Sequence, residues 1–348
     1  MAADLLGLAE IAALLGTTKQ VVSNWRTRKP GFPHPVVELK SGPVWQREDI
    51  VRWAKREGVS FAEPVEGHVR RRAPARHARI VALMNMKGGV GKSTLATNLG
   101  WYAAFERNRR VLLVDLDPQF NLSQYVLGTA GYEKLLHDEQ LTVEALFRPA
   151  EERPENVQDV IVTVREYRDG SCVHLIPASL DLAWTIKHAE SRVHLLKTYL
   201  DEVRNMYDLI IIDCAPTESL LSIAAYHAAD YVFIPVKPEF LPTIGLPLLQ
   251  RSMLEFGNTY RDASVPEVGG IILNDTANKV EQEKSRHDIL VAAKEYDWPI
   301  LKNEISHSES YPAGARLGKP IFMTDNARTV KKSELVRLGD EFLKGIGL

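Results

Sequence analysis

The stretch IVALMNMKGGVGKST, residues 80–94, decides how the rest of the chain is read. Its apolar start, Ile80 to Met84, is predicted as a strand, and a helix is predicted to begin near Lys92 after the intervening glycine-rich turn. That order aims backbone N–H groups and the positive end of a helix at one point, an arrangement suited to phosphate oxygens. Gly88, Gly89 and Gly91 let the main chain approach an anion closely. Lys92 would reach β- and γ-phosphates, and the Ser93 hydroxyl would bind magnesium. A glycine-rich turn alone is weak evidence; the strand-turn-helix context gives this one its weight. Lys87, Gly88, Gly89, Val90, Gly91, Lys92, Ser93 and Thr94 are therefore expected to bind ATP with Mg2+.

Outward from this loop, short apolar runs alternate with longer amphipathic or polar stretches. IVALMN, VLLVD, VHLIP, LIIID, YVFIPV and GGIILN are the runs, and their alternation implies an α/β fold, a mostly parallel sheet with helices on both faces. Residues 128–170, rich in Glu and Arg with Pro149 and Pro154, carry no clear period. They are expected to form a surface excursion with one short helix around Val143 to Phe147. On the other side, residues 63–78 contain Arg70, Arg71, Arg72 and Arg76 but almost no large apolar residue, and read as a basic linker. The expected organisation is a small domain at 1–62, the linker at 63–78 and the main domain at 79–348.

Composition bounds the rest. The 348 residues are 45% hydrophobic with a formal net charge of −2, enough for one large and one small core in a soluble protein. Residues 1–79 hold 14 Lys+Arg against 8 Asp+Glu, so a polyanionic partner is expected on the N-terminal side. Two cysteines, Cys172 and Cys214, lack the spacing of a disulfide framework or zinc site, which fits a reducing cytoplasm. No apolar run reaches the roughly 18 residues of a membrane span.

The loop departs from the ordinary GxxxxGK(S/T) motif, because its first glycine falls on Met86 and an extra lysine, Lys87, stands in front. Lys87-Gly88-Gly89 followed by Gly91-Lys92-Ser93 resembles the deviant Walker A motif of the ParA/MinD family of ATPases. In that family the leading lysine reaches across a nucleotide-sandwich dimer, so the resemblance implies that Lys87 acts in trans on a partner's ATP.

Two further segments match the family. VLLVDLDPQFN, Val111 to Asn121, ends a predicted strand in two carboxylates on the same side of an extended chain. One would hold magnesium's water shell and the other orient the attacking water. The bland reading is a turn and helix cap. The resemblance assigns the metal side to Asp115 and the water to Asp117. LIIIDCAP, Leu209 to Pro216, has the pattern of a Walker B strand, and Asp213 takes its metal role by the same resemblance. Asn274, at the end of GGIILN, and Pro238 are candidates near the adenine. The resemblance covers residues 79–346 and implies a magnesium-dependent ATPase that dimerises on ATP, binds DNA and is stimulated by a ParB-like centromere-binding partner. One departure bears on DNA. Where many members carry an arginine before the GKP segment, this chain has Ser306, His307, Ser308 and Ser310, leaving Arg316, Lys319, Arg328, Lys331 and Lys332 as substitutes or as a solvated basic face.

The N-terminal segment has its own pattern. Leu8, Ile11, Ala12 and Leu15 recur at helical spacing, Gly16 breaks the helix, and Thr17 or Thr18 can cap a second helix carrying Val21, Val22 and Trp25. VVEL, the turn Ser41-Gly42 and PVW suggest a two-stranded wing, and a helix runs from Asp49 through Trp53. The whole resembles the winged helix-turn-helix of MerR and excisionase-like proteins. Thr18, Lys19, Gln20, Ser23 and Asn24 would face base edges, with Arg26, Arg28 and Lys29 on phosphates. The other reading is a small protein-interaction module.

Three functions follow from these readings. The leading one is a nucleoid-associated, cytoplasmic partition ATPase that also autoregulates its operon. The second is a MinD-like membrane-positioning ATPase, in which the stripe Leu335, Leu338, Phe342 and Ile346 would enter lipid. The third is an ATP-switched transcriptional regulator that moves no cargo.

Overall fold

The computed structural model describes residues 5–15, 17–29, 31–39, 42–57, 59, 77–185, 192–239, 245–277, 280–324 and 327–348. Gly16, Ser41 and most of the basic linker, including Arg70, Arg71, Arg72 and Arg76, lie outside them. The chain divides into two compact units, Met1–Arg72 and Ala73–Leu348.

The first unit runs β1 (Leu5–Leu6), α1 (Leu8–Leu14), α2 (Lys19–Arg28), β2 (Val37–Leu39), β3 (Gly42–Gln46) and α3 (Arg47–Arg56). Thr18 caps α2, its hydroxyl accepting the Val21 N–H at 3.4 Å. Ile11, Ala12, Leu15 and Val22, the residues at helical spacing, are buried together with Phe32, Trp45, Ile50 and Trp53. Trp45 is fully enclosed and its indole N–H donates to the Pro33 carbonyl at 2.8 Å, which satisfies the one polar atom of that ring. The sheet has the order β1-β3-β2. Its third strand, unanticipated from sequence, forms because Leu5 and Leu6 pair antiparallel with Gln46 and Trp45.

Within the second unit Ala78, expected at the end of the linker, already belongs to the main core. Ala78 is fully buried and its N–H donates to the Arg204 carbonyl at 3.0 Å. From there come β4 (Arg79–Leu83), α4 (Lys92–Arg107), β5 (Arg110–Leu116), α5 (Asn121–His137), β6 (Val162–Glu166), β7 (Cys172–Ile176), α6 (Leu182–Thr185) and α7 (Leu195–Val203). They are followed by β8 (Leu209–Cys214), α8 (Leu220–Ala228), β9 (Tyr231–Val236), α9 (Gly245–Thr259), β10 (Glu267–Thr276), α10 (Val280–Glu295), β11 (Ile305–Ser306), α11 (Ser310–Arg316) and α12 (Thr329–Gly345).

The strands form a sheet of order β11-β10-β9-β4-β8-β5-β7-β6, parallel except for the edge strand β6, which runs antiparallel to β7. Alternate residues of β4 enter opposite cores: Ile80 and Ala82 pack with α7, α8 and α9, whereas Val81 and Leu83 pack with α4 and α12. A strand covered on both faces must be apolar at every position, which is why these runs show no alternation in sequence. The expected α/β architecture, a mostly parallel sheet with helices on both faces, is present.

Residues 128–170 are not a surface excursion. Val143, Ala145, Leu146, Phe147, Val157 and Val160 are buried in the main core, carried on 3-10 turns at Val143–Phe147 and Val157–Val160. The short helix expected around Val143 to Phe147 is therefore present, but a single turn has no period from which its burial could be read. The stripe considered for lipid is internal as well: Leu335, Leu338, Phe342 and Ile346 are buried with the α4 face. Among the described residues no helix is long and apolar enough to cross a membrane.

Candidate active site

The glycine-rich loop leaves the C-terminal end of β4, the central strand, and is fixed at its base by Asn85. The buried Asn85 side chain donates to the Pro235 carbonyl at 2.7 Å and accepts the Lys87 N–H at 2.9 Å. Lys92 folds back over the loop, its ammonium 3.5 Å from the Asn85 carbonyl. Gly89 and Gly91 adopt φ of 74° and 89°, the left-handed region open to glycine without strain. Gly91 is the N-cap of the 16-residue α4 and provides no side-chain cap, so the first N–H groups of that helix are left for a ligand. Asn274 supports the loop from below, donating to the Val90 carbonyl at 2.8 Å.

Above the loop lies a cavity of about 590 Å³. Gly88, Gly89, Gly91, Lys92, Ser93, Thr94 and Asp117 line it, as do Gln119, Asn121, Gln124, Tyr125, Thr129, Pro216, Ala315 and Arg316. Lys87 is half-buried and Val90 buried, and neither belongs to the lining. Nor do Asn274 and Pro238, the residues expected near the adenine; the Asn274 amide nitrogen braces the loop backbone.

The three carboxylates are placed unequally. Asp115 and Asp213 sit opposite each other on adjacent strands β5 and β8, both fully buried. Asp115 is held by three donors: one oxygen accepts the Ser123 hydroxyl at 2.7 Å and the Ser123 N–H at 2.8 Å, the other the Asp117 N–H at 3.2 Å. Both oxygens of Asp213, by contrast, are enclosed without a hydrogen bond of ordinary geometry. Burial raises the Asp213 carboxyl above its usual range, opposed by the Ser93 hydroxyl and the Lys92 ammonium beside it. Burial first, then the neighbouring Asp213, raises Asp115. A buried carboxylate with free lone pairs next to Ser93 and Lys92 fits a hydrated magnesium ion held partly by water and phosphate. Asp117 is nearly buried at the cavity wall and accepts the Gln119 N–H at 2.9 Å.

In the first unit, Lys19, Gln20, Asn24, Arg26 and Arg28 are exposed along α2 with Thr18 at its cap, while Ser23 and Lys29 are half-buried. Arg26 lies 5.8 Å from the Trp45 ring, and the Lys29 ammonium 5.8 Å from those of Trp25 and Trp53. Of the cations considered as substitutes for a DNA-contacting arginine, Lys331 is paired with Glu334 at 3.5 Å and Lys332 donates to the Phe322 carbonyl at 3.2 Å. Arg316 turns out to line the nucleotide-sized cavity. No periodicity signals the residues the sequence reading missed there, since Gln124, Tyr125 and Arg316 reach the site from α5 and α11 through tertiary packing.

A central β-strand, a glycine turn with two left-handed residues, an uncapped helix start and a lysine folded over it define a P-loop nucleotide-binding protein. A family model described as "AAA domain" matches residues 78–263. The chromosome-partitioning ATPase Soj of Treponema pallidum is 34% identical over 259 residues, covering 73% of this chain and 94% of that one. The chain belongs to the ParA/MinD family of P-loop ATPases. A plasmid partition protein of Borrelia burgdorferi bound to AMPPNP superposes with a TM-score of 0.59 at 24% identity, covering 77% and 99% of the two chains. Cobyrinic acid a,c-diamide synthase of Mycobacterium smegmatis, solved with an ATP analogue and magnesium, gives 0.55 at 27% identity over 69% and 92%.

Proposed function

We propose that this chain is an ATP-hydrolysing DNA-partition protein that dimerises on ATP, binds DNA and is reset by a ParB-like partner. The observation carrying the reading is the convergence of Lys92, Ser93 and the uncapped α4 start on the fully buried carboxylate of Asp213. The 34% identity to Soj supports partition as the setting of this ATP site.

In this reading the loop N–H groups and Lys92 take the phosphate oxygens of ATP, with Asn274 and Pro238 on the side proposed for the adenine. Ser93 directly, and Asp213 through water, would hold magnesium, which when bound neutralises charge on the β- and γ-phosphates. Asp117, at the cavity wall, accepts a hydrogen bond from the attacking water and orients it in line with the γ-phosphate. Lys87, whose side chain is outside the lining of its own cavity, is left to serve a second subunit's nucleotide. The exposed face of α2 would read an operator, with Arg28 on the phosphates, which gives autoregulation as a second output. The protein would thus work on the nucleoid in the cytoplasm. The burial of Leu335, Leu338, Phe342 and Ile346 argues against the lipid-inserting alternative.

Light scattering of the full chain with ATP and with ADP tests the proposal: mass doubles with ATP, and DNA is retained in that state. Lys92→Ala abolishes both. Lys87→Ala keeps most ATP binding and loses dimer-dependent hydrolysis. An ATP-independent mass and DNA retention would sink the reading, and loss of inheritance of a plasmid or chromosome on deletion separates cargo movement from a purely transcriptional switch.

A further inference from the structure

We propose that Ser123 is a positioning residue for Asp117, acting through the buried Asp115. The inference rests on the reading of Asp117 as the group that orients the attacking water. Ser123 lies in the first turn of α5 with no exposed surface. A hydroxyl has one proton to give and lone pairs to accept with. Here the proton goes to Asp115 at 2.7 Å and the oxygen accepts the Ala178 N–H at 2.9 Å. The Ser123 N–H adds a second bond to the same Asp115 oxygen at 2.8 Å.

These bonds close the chain between Asp115 and Ser123 into a ring, and Asp117 is on that ring. The other Asp115 oxygen takes the Asp117 N–H at 3.2 Å, and the Asp117 carbonyl takes the Phe120 N–H at 2.8 Å. The backbone of Asp117 is thus anchored from both sides, and its carboxylate, held by the Gln119 N–H at 2.9 Å, lines the cavity. Ala178, just beyond β7, ties the ring to the neighbouring strand, since Val114 of β5 pairs with Ile176 of β7. Ser123 itself is absent from the cavity lining, as is Asp115. It touches no substrate and acts by holding the turn. Without its hydroxyl, the Ala178 N–H is buried without an acceptor and Asp115 keeps only backbone donors, so the turn gains freedom at the residue that must point at the water.

The test uses the full chain with Mg-ATP and measures turnover alongside the dissociation constant of a fluorescent ATP analogue. Misplacement of a reacting group by about 1 Å lowers rate by about 100-fold. Ser123→Ala is expected to lower kcat by about 10- to 100-fold while the dissociation constant changes by less than about threefold. Ser123→Thr, which keeps the hydroxyl, recovers most of the rate. The Ser123→Ala/Asp115→Asn double variant is no slower than Asp115→Asn alone, because both act along one path. Wild-type kcat in Ser123→Ala, or a parallel loss of rate and affinity with additive double-variant effects, overturns the proposal. Asp117→Asn distinguishes the layers. If it hydrolyses normally, the role of Asp117 is refuted; if it is slow while Ser123→Ala is normal, the latch alone is refuted.

Discussion

Replacing Gly91 by alanine probes how firmly the phosphate loop is braced. At φ 89° an L-residue is strained, and an added Cβ would stand 2.1 Å from the Asn274 side-chain nitrogen. The left-handed backbone costs about 1–2 kcal/mol for a residue with a Cβ. To admit the methyl group, Asn274 must swing away from the Val90 carbonyl it holds at 2.8 Å. Leaving that buried acceptor unpaired costs about 1–3 kcal/mol, so the variant should lose about 2–5 kcal/mol in all. Urea unfolding of the second unit's transition measures this directly. The clash has a partner, so it can be relieved: Gly91→Ala combined with Asn274→Ala should be less destabilised than the sum of the single variants by at least about 1 kcal/mol. A Gly91→Ala protein within about 0.5 kcal/mol of wild type, or strict additivity in the double variant, would refute the bracing argument.

Three further outcomes follow. Asp213→Asn replaces a buried carboxylate that makes no ordinary hydrogen bond by a neutral isostere, so the nucleotide-free protein should melt at the wild-type temperature or above it, while ATP binding ceases to respond to magnesium; a clear drop in melting temperature would contradict this. His307 donates to Asp275 at 2.6 Å and lies 3.2 Å from Glu309, and the bond to Asp275 raises it above 6.5. A raised folded value means that its contribution is complete below 6.5 and is lost as pH rises through the raised value. The site is exposed, so the effect is small: wild type should exceed His307→Asn in stability more at pH 6 than at pH 9, and a pH-independent difference would refute it. Leu338→Ala, at a fully buried position of α12, should cost about 2–5 kcal/mol, whereas a surface or lipid-facing leucine would cost under about 0.5 kcal/mol.

The parts of this molecule that were legible in sequence are those where one physical demand acts along a local stretch. Ile80 to Leu83, Val111 to Val114 and Leu209 to Ile212 are apolar throughout because both sheet faces are covered. The glycines of the loop were readable because backbone conformation and anion approach both call for them. What escaped was set by tertiary contacts. Val162–Glu166 is an edge strand with mostly exposed residues, Ile305–Ser306 is two residues long, and the short helix expected at Val143 to Phe147 is present but buried in the core, which its length gives no period to show. Asp115 and Asp117 look equivalent in the chain. Ser123, eight residues on, holds one of them by two hydrogen bonds while the other lines the cavity, a difference that spacing does not carry. Asn274 also braces the Val90 carbonyl, a contact that only the folded loop reveals.

The most direct test of the account is equilibrium binding of a fluorescent ATP analogue to the full chain, with magnesium and with a chelator. Binding should depend on magnesium and weaken by at least about 100-fold, equivalent to about 2.7 kcal/mol, in Lys92→Ala. Equal binding by wild type and Lys92→Ala would contradict the claim that the loop at 87–94 holds the nucleotide.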